Sequence, residues 1–114
     1  MKENIVKTKS FDFSLMIIAM YKQLQEQKEF IISKQLLRSG TRIGANIEEA
    51  LAGISKRDFT AKMSISSKEA RETNYWLRLL KASNLTDISV EKELKESEDL
   101  INILTKIVKT SQGR

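Results

Sequence analysis

A chain of 114 residues, 40% of them apolar, has enough material for one hydrophobic core and little to spare, so a single domain over residues 1–114 is expected. It holds neither cysteine nor histidine, which excludes disulfides, thiolate chemistry, zinc sites of the usual kind and the side chain that most often shuttles protons near neutral pH. The 20 basic and 15 acidic residues leave a charge of +5, spread unevenly: residues 1–42 carry +4, residues 43–82 carry +2 and residues 83–114 carry −1. A surplus of this size keeps a small domain soluble and also favours nucleic acid or an acidic protein as a partner. With no proline and only four glycines the composition suits long uninterrupted helices. The N-terminal MKENIVKTKSFDF has no apolar run of the kind that marks a signal peptide, and no stretch of about 18 apolar residues would span a membrane, so a cytoplasmic location is expected.

Residues 1–9 are polar and are expected to fray. Ser10 offers a cap for a first helix over residues 10–28, on which Phe13, Ile17, Tyr21 and Leu24 recur at helical spacing, thickened by Leu15, Met16, Ile18 and Met20. The connection QKEFIIS holds no Gly or Pro to mark its limits. A second helix over residues 33–52 places Leu36, Gly40, Ile43, Gly44, Ile47 and Leu51 on one face. Two interior glycines cost about 1 kcal/mol each relative to alanine. Close approach of a neighbouring helix would offset that cost; a kink is the alternative.

A stop and a start follow. Gly53 ends the second helix, Ser55 is placed to cap the third, Asp58 stands three residues on in an imperfect capping box, and Ile54 with Phe59 has the spacing of a hydrophobic staple. The third helix, over residues 56–83, carries Phe59, Met63, Ser66, Ala70, Thr73, Leu77 and Leu80 in strict alternation of four and three, a seam that is small in its middle and suited to the glycine face of the second helix. Ile65, Trp76 and Leu79 form a strip beside it, with Glu69 and Glu72 inside that strip. Asn84 is a plausible terminator. A fourth helix over residues 88–110 has Val90, Leu94, Ser97, Ile101, Leu104 and Val108 on one seam and Leu100, Ile103 and Ile107 on another. Four amphipathic helices with short connections predict an all-α, up-down-up-down bundle, and the apolar surplus on the third and fourth helices predicts self-association.

The stretch RIGANIEEALAGISKRDFTAKMSISSKEARETNYWLRLL resembles the bacterial four-helix-bundle family named for 23S rRNA intervening sequence proteins. The family motif reads SIxANIxEA or SIxANIAEG, followed by a serine at a helix start and a DF pair. Ile43, Ala45, Asn46, Ile47, Glu49, Ser55, Asp58, Phe59, Glu69, Glu72 and Trp76 match, whereas Arg42 stands where serine is frequent and Gly44 where proline is frequent. The resemblance implies an antiparallel four-helix bundle assembled as a ring-shaped homopentamer. Some members are encoded within insertions in 23S rRNA genes, and the accessory variability determinant of diversity-generating retroelements, which works with a reverse transcriptase and RNA, is similar in fold.

Candidate nucleic-acid contacts are Lys34, Arg38 and Arg42, spaced i, i+4, i+8 on one flank of the second helix, and Lys56 and Arg57 at the N-terminus of the third, where the helix dipole also favours anions. The bland reading of each is a solvated helix face. Asn46, Glu49, Glu69 and Glu72 are the polar residues best placed at helix contacts; a hard cation is one reading, and pairing with Arg42 or Lys62 is preferred. Trp76 is read as core, as a subunit anchor or as a base-stacking platform. No phosphate loop, nucleophile elbow or triad appears, so no enzyme, cofactor or metal is expected. Two functions remain: an oligomeric module that binds RNA or DNA through the basic face of the second helix, and a scaffold for protein interaction with no nucleic-acid role.

Overall fold

The computed structural model describes residues 2–113, and the side chains from Asn4 to Gly113. These residues form four helices and no strand: α1 (Lys2–Glu26), α2 (Ile32–Leu51), α3 (Lys56–Ser83) and α4 (Glu91–Gly113). Each helix packs on two others, α1 on α2, α2 on α3, α3 on α4 and α4 back on α1, in a rod of 46 × 21 × 21 Å. One continuous core runs along its axis. Val6, Phe13, Ile17, Met20 and Leu24 come from α1, Leu36, Ile43 and Ile47 from α2, Met63, Leu77 and Leu80 from α3, and Leu94, Leu100 and Leu104 from α4.

α1 begins at Lys2 instead of residue 10, so the residues expected to fray are helical from Lys2 onward; Met1 lies outside the described residues. Ser10 is therefore no cap. It is buried within the helix, its hydroxyl donating to the Lys7 carbonyl at 3.0 Å. The polar start is helical because Val6, about five turns before Leu24 on the same apolar face, is fully buried and anchors it.

The α1–α2 connection takes its order from Glu29. Its carboxylate accepts from the backbone N–H groups of Ile31 (3.1 Å), Ile32 (3.0 Å) and Ser33 (2.6 Å), while the Ser33 hydroxyl donates to the Glu29 carbonyl at 2.7 Å. Three orphan donors at the start of α2 are thus satisfied by an acid two residues outside it, which also suits the helix dipole. Lys28 turns the chain with a positive φ of 64°.

Ser55 caps α3 as expected, accepting from the Asp58 N–H at 3.0 Å, and Asn84 closes the helix in the left-handed region at φ 59°. The staple does not form, because Ile54 is 99% exposed. Gly53 is favoured by closeness and not by a left-handed turn: a Cβ there would stand 3.1 Å from the Ala50 carbonyl and 2.5 Å from Asp58 Oδ2, which would have to swing aside. α4 starts at Glu91, later than residue 88, after Thr86 Oγ1 accepts from the Ile88 N–H at 3.1 Å. The same hydroxyl donates to Gln27 Oε1 at 2.6 Å, so the α3–α4 and α1–α2 connections are joined at one end of the rod.

The seam of α3 is buried from Met63 to Leu80 at every anticipated position, with Phe59 half-buried at its head. In α4 the two anticipated seams merge: Leu94, Ser97, Leu100, Leu104 and Ile107 are buried, and Ile101, Ile103 and Val108 flank them. The apolar surplus accordingly lies on α3, as expected, but on α1 instead of α4. Among the described residues the large exposed apolar side chains include Phe11 and Leu15 on α1 and Ile65 and Tyr75 on α3, and none on α4.

α2 touches both neighbours through small residues, but not as anticipated. Its glycines face α1 and not the seam of α3: a Cβ on Gly40 would stand 2.9 Å from both γ-carbons of Ile17, and one on Gly44 would stand 3.3 Å from Ser10 Oγ. Isoleucine is stiff about its first side-chain torsion, so Ile17 cannot swing aside cheaply. Gly40→Ala should therefore lower stability, with about 1–3 kcal/mol of overpacking outweighing about 1 kcal/mol of helix propensity. Gly44→Ala should be neutral or stabilising. Thermal melts of both variants test this, and the loss at Gly40 should vanish in an Ile17→Ala background.

Candidate functional site

The α2–α3 contact begins with hydroxyls. Ser66 donates to the Ile43 carbonyl at 2.8 Å, and Thr73 Oγ1 lies 2.8 Å from Ser39 Oγ, donating to it, and 2.7 Å from the Glu69 carbonyl. All three side chains are buried and small enough for the helix backbones to come close, and each hydroxyl finds a partner that keeps its burial from being a loss. Asn46, also buried, donates its amide to the Arg42 carbonyl at 2.8 Å.

That closeness brings the flanking charges together. Arg42 Nε donates to Glu69 Oε2 at 3.2 Å, Arg38 Nη1 is 3.7 Å from Glu69 Oε1, and Arg38 Nη2 pairs with Glu72 Oε2. The same Glu72 oxygen accepts the Trp76 indole N–H at 2.9 Å. Tyr75 meets Trp76 edge to face at a centroid distance of 5.0 Å. Further along, Lys62 Nζ is 2.9 Å from Glu49 Oε1. The result is a face on which Arg38, Arg42, Glu69, Glu72 and Trp76 form one connected network, bordered by the exposed Ile65.

Glu69 is the odd member. Its side chain is only 14% exposed, and Oε1 is sealed from solvent without a hydrogen bond. A carboxylate oxygen in that position loses its water and receives only the more distant charge of Arg38, 3.7 Å away.

The anticipated residues separate into three groups. Arg38 and Arg42 join Glu69 and Glu72, and Glu49 joins Lys62; Lys34, on the same flank of α2, is exposed and forms no ion pair among the described residues. Lys56 and Arg57 stand apart at the other end of α3, where they line a cleft of about 570 Å³ with Thr60, Ser64 and Ser111. Ser55, Asp58 and Phe59 build the start of α3. Trp76 is half-buried against the core with its indole N–H engaged by Glu72. Among the described residues no group of three or more acidic side chains is gathered so as to hold a metal ion. Residue spacing alone missed Arg38 as the partner of Glu72. The signal was there: arginines at i, i+4 on α2 match glutamates at i, i+3 on α3.

Fold and face together define an all-α four-helix protein with a small-residue helix contact and an ionic, aromatic flank. The family model described as 23S rRNA-intervening sequence protein matches residues 2–110, and the chain belongs to that family. It is similar to the crystal structure of a protein with unknown function from the S23 ribosomal protein family of Bacteroides thetaiotaomicron, with 48% identity, a TM-score of 0.89, and coverage of 96% of this chain and 99% of that one. No protein of curated function matches. Among the described residues no helix is long and apolar enough to cross a membrane.

Hydrogen bonding and charge from Lys62 hold the Glu49 carboxyl below its ordinary value of 4.5, and Glu49 raises Lys62 in return. A lowered carboxyl favours the folded state above its unfolded value, and that contribution fades as pH falls through the folded one. Carbon-detected NMR titration should show Glu49 protonating at lower pH than a free glutamate, and Lys62→Gln should return it to the ordinary range.

Proposed function

We propose that this protein is a non-enzymatic cytoplasmic scaffold, an antiparallel up-down-up-down bundle whose copies join through the α2–α3 face into the ring-shaped homopentamer that the family resemblance implies. The observation that carries the proposal is the exposed Ile65 beside the half-buried Trp76 on the charged flank of α3. A second copy would cover this apolar border, which an isolated chain leaves in water. Antiparallel order is supported by the pairing of Thr60 with Ser111, Asn74 with Ser97 and Lys81 with Glu91, in which residue numbers rise on α3 as they fall on α4.

The expected RNA- or DNA-binding face of α2 draws less support from the geometry. Two of its three cations, Arg38 and Arg42, already face carboxylates, so little unopposed charge is left there for phosphates.

Light scattering should give about 66 kDa for the intact protein, five copies of 13.1 kDa. Ile65→Asp, at a side chain that takes part in no ion pair, should raise the concentration needed for assembly at least tenfold while leaving the helical circular dichroism unchanged. Glu72→Gln should loosen assembly by a smaller factor. A stable 13.1 kDa particle at micromolar concentration would overturn the proposal.

A further inference from the structure

α3 carries a second regular pattern that its buried seam conceals. Two residues behind the seam positions, about 200° round the helix, stand Arg57, Ala61, Ser64, Lys68, Arg71, Tyr75, Arg78 and Ala82, again in strict alternation of four and three. All are exposed except the half-buried Ser64. The stripe holds four cations and no acid, although α3 itself includes Asp58, Glu69 and Glu72. Those three acids lie about 100° round from it, on the flank that faces α2, where Glu69 and Glu72 serve the cations of α2 and Asp58 lies over Gly53.

The ion pairs leave the stripe out as well. Lys7, Lys9, Arg38, Arg42, Lys62, Lys81 and Lys95 each face a carboxylate, whereas among the described residues Arg57, Lys68, Arg71 and Arg78 face none, as is also true of Lys22, Lys28, Lys34, Lys56, Lys92, Lys106 and Lys109, which are not aligned on one helix face. Arg71 donates to the Thr105 hydroxyl at 3.1 Å and Arg78 to Asn74 Oδ1 at 2.8 Å, neutral partners that orient a guanidinium without neutralising it. At its N-terminal end the stripe opens into the cleft of Lys56, Arg57, Thr60 and Ser64, where the positive end of the helix dipole adds to the field.

From this we infer that the outer stripe of α3, Arg57, Lys68, Arg71 and Arg78, is a binding surface for the phosphate backbone of a polynucleotide. From Arg57 to Arg78 the stripe runs about 31 Å in a straight line, at 1.5 Å per residue. A polyanion of regular charge spacing matches that form, and arginine suits phosphate through its planar fork of donors. An anionic membrane matches it less well. Tyr75 is the one large apolar side chain on the stripe, and the Arg78 guanidinium lies 5.8 Å above its ring, leaving nothing to insert among lipids. Contacts to phosphates alone carry no sequence information, so the binding is independent of sequence.

The stripe belongs to one copy of the chain and does not rest on the proposed assembly. Its test uses the full-length protein with fluorescent 30-nucleotide single-stranded RNA, duplex RNA and duplex DNA of scrambled sequence, titrated in 50–200 mM salt. Up to four phosphate contacts per chain predict a slope near −3.6 for duplex DNA, about a hundredfold loss over that range. Lys68→Glu/Arg71→Glu/Arg78→Glu should weaken binding at least thirtyfold, and Lys68→Gln/Arg71→Gln/Arg78→Gln at least tenfold, with helical signal and assembled mass unchanged. Lys22→Glu/Lys28→Glu/Lys34→Glu, the same change in net charge placed elsewhere, should stay within threefold of the parent. The three probes decide between RNA and DNA and between single and double strands, any of which supports the surface. Equal losses in both glutamate variants, no binding at 50 mM salt, or tighter binding to phosphatidylserine vesicles than to all three probes would each overturn it.

Discussion

How near α2 can come to its two neighbours is the constraint on which the rest of the molecule depends. On one side Gly40 and Gly44 admit Ile17 and Ser10 of α1, and on the other Ser39 meets Thr73, and the Ile43 carbonyl meets Ser66, of α3 through buried hydroxyls. A larger side chain at any of these places would push the axes apart, and separations between packed helices are set by the side chains at the contact. Distance then controls charge. Arg38 and Arg42 reach Glu69 and Glu72 across the α2–α3 boundary because the backbones behind them are close, so residues too small to do chemistry determine which charged residues meet.

The pairing has a consequence on the far side of α3. A helix with seven basic and three acidic residues could mix its charges evenly, and neighbouring pairs along its surface would then cancel. Here Glu69 and Glu72 pair with the arginines of α2, and Asp58 lies over the corner at Gly53. Nothing is left to oppose Arg57, Lys68, Arg71 and Arg78. The family motif residues at Glu69 and Glu72 thus shape two surfaces, the one they occupy and the one they leave unbalanced.

Most of the fold could be read from residue order, and the failures have physical causes. The seam of α3 was legible because its four-three spacing continues for seven positions with no competing interpretation. Ser55 and Asn84 were legible because capping chemistry is local. The start of α1 was not, since a run of polar residues signals coil only until one buried side chain, Val6, holds it against the core. Glu29 escaped notice because an acid is not the usual side chain to cap from two residues outside a helix. The staple at Ile54 failed for the opposite reason: the right spacing was present, but the Gly53 corner turned the side chain outward to full exposure. At the candidate site the i, i+4, i+8 cations of α2 drew attention as a charge pattern, yet whether a cation is available depends on what faces it from another helix. That information is absent from the spacing of one helix and present only in the fold.

The two proposed surfaces of α3 reinforce each other without depending on each other. Four unopposed cations on one chain give weak, salt-sensitive attraction, since each released counterion contributes little at physiological ionic strength. Copies joined in a closed ring by the Glu69 flank would hold their stripes at a fixed angle and spacing, since in a cyclic assembly every interface is the same. A polynucleotide touching one stripe then meets the next at high effective concentration, and modest contacts multiply into useful affinity. Such a division of labour explains why a chain with no histidine, no cysteine and no catalytic motif invests its longest helix in two patterns at once. One flank holds α2 and, on this proposal, another copy; the other presents charge that neither contact consumes.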